Sequence, residues 1–204
     1  AKKQRLVPER FYFWSNQRRR HEWDVVILVD QSGSMAVSAV YSAIMAAIFA
    51  SLDVLRTRLA FFNEKDIVDM TPLLADPVDV LFSAQLGGAE DLNRAVAFAE
   101  EHYIERPERT ILILITDLYD TCGDVEELLR RMRRLVDSRT KPMVLLKLSD
   151  EGRPSYNHEL ARDLVGLGVP CFGCTPRLLA SVMERILKNQ DASDLVGGSR
   201  DARR

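Results

Sequence analysis

The chain has 204 residues, of which 47% are hydrophobic and 28% charged, and a formal net charge of −2. That length suits one domain with its own core, and the near-neutral balance excludes the positive field that draws proteins to nucleic acid or anionic membranes. Three cysteines give no disulfide framework and favour a reducing, cytoplasmic setting.

The opening Ala-Lys-Lys contains no apolar signal segment, and the missing initiator Met suggests one domain of a longer protein. Residues 1–22 read as an N-terminal arm or edge strand, 23–188 as the domain proper, and 189–204, with Gly-Gly and dispersed charges, as a flexible tail. Val25–Val29 is an unbroken apolar run, the mark of a strand buried on both faces, and it leads straight into Asp30. Met35–Leu52 carries no charge over 18 residues. Ser38, Ser42 and Ser51 interrupt it, and a stripe through Val37, Tyr41, Ile44, Ile48, Leu52 and Leu55 marks a core helix rather than a membrane span.

Leu59–Asn63 and Ile67–Thr71 are close enough to form a hairpin. Asp76-Pro77 with Asp79 starts a helix, and Asp91–Tyr103 is another. Ile111–Ile115 is a second buried strand. Asp124 and Glu127 make a variant capping box for a helix through Val136. Met143–Leu148 is a strand, Ser155–Leu167 a helix and Val169–Phe172 a short strand. Thr175-Pro176 opens a last helix to Leu187. Strands alternating with helices predict a doubly wound, mostly parallel central sheet with helices on both faces.

In such a sheet, ligands gather beyond the carboxyl ends of the strands. Asp30, Ser32 and Ser34 follow the first central strand, Asp117 follows Ile111–Ile115, and Glu90 and Asp91 stand in a Gly-Gly loop before a helix. Oxygen donors without His or thiolate suit Mg²⁺, Mn²⁺ or Ca²⁺ rather than Zn²⁺. A cation held mainly by hydroxyls keeps positive charge and an exchangeable position, which a partner's acidic side chain can fill.

"DQSGSM" resembles the Asp-x-Ser-x-Ser signature of von Willebrand factor A domains with their metal-ion-dependent adhesion site. "GGAED" and "ITDLYD" stand where that family has its Thr-bearing and third, Asp-bearing loops, and the likeness runs from about Trp23 to Leu187. "LSDEGRPSYNHELA" and "CFGCTP" resemble bacterial CoxE-like members that accompany MoxR-type AAA+ ATPases. The resemblance implies a Rossmann-like fold and a non-enzymatic adaptor that binds a protein partner through Mg²⁺, with such an ATPase as that partner. It also implies direct ligation by Ser32 and Ser34, with Asp30 and Asp117 acting largely through water. Glu90 departs from the family, standing where Thr is usual. It can ligate, occupy the visiting ligand's position, or point away and leave a decayed site.

Simpler readings stand beside these. Asp30, Ser32, Ser34 and Asp91 are all good helix caps, and Asp120 is an ordinary polar loop residue. Cys171-Phe-Gly-Cys174 permits a redox motif or, with Cys122 and His158, a zinc set, against buried reduced thiols. Arg18-Arg19-Arg20 beside aromatics is a solvated or docking turn before it is a nucleic-acid contact. Glu126 and Glu127 precede Arg130 and Arg131 by four, the spacing of helix-surface pairs. The rival function is a Mg²⁺-assisted hydrolase, but no Gly-x-Ser-x-Gly elbow or phosphate loop is present.

Overall fold

In the computed structural model the described residues are 23–33, 55–74, 76, 78–80, 87–120, 122–146 and 155–173, with 182 and 185. They form nine regular elements in the order β1 (Trp23–Asp30), β2 (Leu55–Phe62), β3 (Ile67–Asp69), α1 (Leu92–His102), β4 (Thr110–Thr116), α2 (Val125–Asp137), β5 (Lys141–Leu146), α3 (His158–Gly166) and β6 (Cys171–Gly173), apart from short 3-10 turns at Thr71–Leu73 and Pro107–Arg109. The strands make one sheet in the order β3-β2-β1-β4-β5-β6, parallel except for β3 against β2. This is the doubly wound, mostly parallel arrangement the alternation predicts.

Burial on both faces explains why the central strands lack alternation. Val25 to Val29 and Ile111 to Ile115 are all buried. Val26, Leu28, Ala60, Phe62, Leu112, Leu114, Val144 and Leu146 form one face, and α1, α2 and α3 cover it with Leu92, Val96, Leu128, Met132, Leu160 and Leu164. Each Val, Leu, Phe or Met side chain among them contributes about 1.5–3 kcal/mol on leaving water. The other face, with Ile27, Val29, Phe61, Ile113 and Leu145, is also buried. The helix expected at 35–52 lies outside the described residues, as do all but residues 182 and 185 of the one expected from Thr175, the arm, the tail and most of the helix expected after Asp76.

Several boundaries differ from expectation for identifiable reasons. β2 starts at Leu55, four residues early, so Leu55 belongs to a strand and not to the preceding helical stripe. Its register against β1 places Arg56 opposite Asp24, and their ion pair lets a charged residue sit in a parallel strand. Helix α3 starts after Asn157, whose side chain accepts from Glu159 N and Leu160 N; Ser155 lies before the cap. β6 starts at Cys171 and not Val169. Gly168, at φ +88°, turns the chain out of α3, and Val169 N donates back to Leu164 O at 3.0 Å. α1 and α2 are capped by Asp91 and Asp124 as expected. On α2, Glu127 pairs with Arg130, Arg131 and Arg134, and Arg131 crosses to Glu100 on α1 at 2.6 Å.

From β1 the chain builds outward through β2 and β3, then returns to place β4 on the other side of β1. The order therefore reverses between β1 and β4, and the carboxyl ends of these two strands carry Asp30 and Asp117.

Candidate metal centre

Asp30 is the last residue of β1. Strand alternation puts it on the same face as Asp24, Val26 and Leu28, toward the three helices. Burial is complete at Asp30 (0% exposed) and nearly so at Glu90 (2%) and Asp117 (3%). One carboxylate oxygen from each lies within 4.8 Å of the others. Among the described residues no other set of three His, Cys, Asp or Glu side chains converges in this way.

The local bonds explain how three loops meet. Ser32 N donates to Asp30 Oδ1 at 2.7 Å, closing a tight turn at the strand exit, and Ser32 Oγ donates to Glu90 Oε2 at 3.3 Å. Gly33 N donates to Gly88 O at 3.0 Å, while the β2–β3 turn holds the same loop through Asn63 Nδ2 to Gly87 O at 2.7 Å and Glu64 N to Ala89 O at 2.9 Å. Gly88 has φ +100°, so glycine is needed for its backbone conformation, and a Cβ there would meet the flexible end of Glu64 at 3.3 Å. After β4, Leu118 takes a left-handed φ of 62°. That costs about 1–2 kcal/mol in an L-residue. It turns Asp117 inward and leaves Tyr119 exposed, with Asp117 O accepting from Asn157 N at 2.9 Å.

Thr116 joins the network, a residue the motif reading did not single out. Its Oγ1 donates to Asp30 Oδ2 at 3.2 Å and accepts from Leu118 N at 2.9 Å, so one buried hydroxyl orients the Asp30 carboxylate and the strained turn together. The available signal was a Thr standing between the Ile/Leu run of β4 and Asp117. Ser34 lies outside the described residues. Asp91 caps α1 through Arg94 N, and Asp120 accepts from Gly123 N; neither belongs to the convergent set. Cys122 Sγ bonds Glu64 Oε2 at 3.4 Å, and Cys122, Cys171 and His158 form no convergent group; Cys174 is outside the described residues.

The electrostatics favour a cation. Burial, then the hydrogen bond and charge of Asp30, then the charge of Asp117, push the Glu90 carboxyl up to about 10. Among the described residues, the Lys and Arg ion pairs leave all three carboxylates out. Like charges this close in a buried site need a proton or a metal between them. All the assembled donors are oxygen, the set that suits Mg²⁺, Mn²⁺ or Ca²⁺, so these residues fit a hard divalent ion.

Residues 4–183 match the family described as VWA domain containing CoxE-like protein. The chain belongs to this family. The uncharacterized protein YehP of Escherichia coli K12 is 36% identical over 173 residues, covering 85% of this chain and 45% of YehP. This chain thus spans less than half of that curated relative. Among solved structures, a von Willebrand factor type A protein from Catenulispora acidiphila superposes with a TM-score of 0.58 at 17% identity, covering 78% of this chain and 40% of that one. A manganese-loaded TRAP protein of Plasmodium vivax gives 0.51 at 17% identity, with 72% and 63% covered. These likenesses establish a von Willebrand factor A fold. Among the described residues, no helix is long and apolar enough to cross a membrane.

Proposed function

We propose that this domain recognises a protein partner through a face organised by a divalent cation, with Asp30, Ser32, Ser34, Glu90 and Asp117 as the holding residues. The observation that carries this reading is the meeting of three buried carboxylates at the carboxyl edge where the sheet order reverses. The bound cation would supply a fixed positive centre joining the three loops. Ser32 orients both Asp30 and Glu90, Thr116 holds Asp30, and the left-handed turn at Leu118 keeps Asp117 in place. Manganese in the related TRAP structure supports a divalent ion; Mg²⁺ is the ion we propose, with Mn²⁺ or Ca²⁺ as substitutes.

The proposed partner is a MoxR-type AAA+ ATPase, for which the domain serves as an adaptor in protein remodelling or complex maturation. Membership of the CoxE-like family supports this reading. The role is binding and not catalysis. His102 packs against Phe98 and His158 against Tyr156, and neither joins the carboxylate group as a base. The proposed setting is cytoplasmic, in keeping with a count of three cysteines that gives no disulfide framework.

The test is co-purification of the ATPase with wild-type protein in Mg²⁺ and in chelator, with Asp30→Ala alongside. Recovery only by wild type with Mg²⁺ is expected. Equal recovery under all three conditions would show that recognition does not use this site.

A further inference from the structure

The position of Glu90 carries the metal reading one step further and depends on it. The loop bearing Glu90 is bonded on one side to Gly33 and on the other to Asn63 and Glu64, and Asp91 immediately starts α1 as its cap. The backbone is therefore tied at both ends. The side chain is buried beneath the loops and carries its carboxylate to within 4.8 Å of those of Asp30 and Asp117. Of the three arrangements open to Glu90 from sequence, pointing away is not the one observed.

Glu differs here from the family's Thr in reach and charge. A hydroxyl with two aspartates leaves a divalent cation balanced, so one visiting carboxylate is tolerated. Three carboxylates around a divalent ion already leave one negative charge in excess, and a fourth would enter a buried, water-poor site against it. The surroundings add to this bias. Glu64 and Asp66 lie in the adjoining turn and Asp120 in the Asp117 loop, with Lys65 paired to Glu64 and Arg94 bonded to Glu64 O.

We propose that Glu90 is a built-in carboxylate ligand, supplied in cis where an external acid would otherwise bind, so that this site holds its cation without a partner's acid and excludes one. The cation then clasps the three loops, and the partner docks on their outer surface. A cation held mainly by hydroxyls would leave room for a visiting acidic side chain, but that holds only with a neutral residue at position 90.

The experiment is calorimetric titration of Mn²⁺ into metal-free protein, in chloride and then in acetate of equal ionic strength at about 100 mM, where acetate stands for a visiting carboxylate. Wild type is expected to bind Mn²⁺ with less than about a twofold change between the two salts. Glu90→Thr is expected to bind at least about tenfold more weakly in chloride, the lower end of what even outer-shell substitutions cost, and to regain several-fold in acetate. Glu90→Gln keeps the shape and removes the charge, so it gives the same reading if Glu90→Thr fails to fold by near-ultraviolet circular dichroism. Acetate strengthening wild type as much as the variants would overturn the inference and leave the metal reading intact. Variants that bind Mn²⁺ as well as or better than wild type would also overturn it, since Glu90 would then block and not ligate. No binding by any of the proteins would overturn the metal reading itself, and this inference with it.

Discussion

Asp24 stands at the opposite end of β1 from the metal face, and its replacement by Asn tests how the sheet tolerates charge in its central strand. Asp24 is buried, and its oxygens accept from Arg56 Nε at 2.7 Å and Nη2 at 3.1 Å, and from Arg106 Nε at 2.9 Å and Nη2 at 2.8 Å. Arg56 continues to Glu105 Oε2 at 3.0 Å, and Arg58 reaches Glu105 Oε1 at 2.9 Å. Asp24→Asn preserves shape but removes the charge and turns an amide NH₂ toward a guanidinium. Breaking a buried ion pair costs about 3–5 kcal/mol. The two guanidinium side chains are 34% and 39% exposed, so water recovers part of the loss and about 2–3 kcal/mol is expected.

Equilibrium urea denaturation at pH 7 measures this cost, with the expectation of a lower midpoint at unchanged slope. The pH dependence carries its own sign. Burial pushes the Asp24 carboxyl up, but the hydrogen bonds and charges of Arg106 and Arg56 outweigh it and hold the group below its ordinary 3.8. A depressed folded value means stabilisation that is complete above the unfolded value and disappears as pH falls through the folded one. The gap between wild type and Asp24→Asn should therefore narrow below about pH 4. A gap under about 0.5 kcal/mol at pH 7, the range of ordinary surface substitutions, would refute the reasoning. A gap that widens on acidification would do the same.

Two further substitutions probe other parts of the fold. Thr116→Val removes the hydroxyl shared by Asp30 and Leu118 N without changing side-chain volume much, and should cost about 1–3 kcal/mol in urea denaturation through the unpaired buried groups. It should also weaken Mn²⁺ binding by about tenfold in calorimetry; unchanged affinity would remove Thr116 from the site. Arg139 ends α2 with φ 67°, its N–H bonded to Val136 O and Thr140 N to Leu135 O, the position glycine usually takes. Arg139→Gly should stabilise the domain by about 0.5–1 kcal/mol in the same assay; a loss would mean that the exposed guanidinium makes contacts of its own.

The elements that were legible in sequence are those whose physics is local. Val25–Val29 and Ile111–Ile115 declared double-sided burial by their lack of alternation, and Asp91 and Asp124 announced helix starts by their own capping chemistry. The start of β2 was hidden because Arg56 and Arg58 read as surface residues until their partners, 32 and 47 positions away in sequence, are in place. Val169 read as strand because nothing local shows that the Gly168 turn spends it on closing α3. At the candidate site, the strand-exit position of Asp30 and Asp117 was readable from the apolar runs before them. The direction of Glu90 was not, since it depends on bonds to Gly33, Asn63 and Glu64 from two other loops.

The most direct measurement of the central claim is the unfolding free energy of the domain in chelator and in increasing Mn²⁺, for wild type and for Asp30→Asn with Asp117→Asn. A cation held by these carboxylates should stabilise wild type by about 2.7 kcal/mol at a free concentration one hundred times its dissociation constant, and should leave the double variant nearly unmoved. Wild-type stability that stays flat into the millimolar range, or a double variant that gains as much, would contradict it.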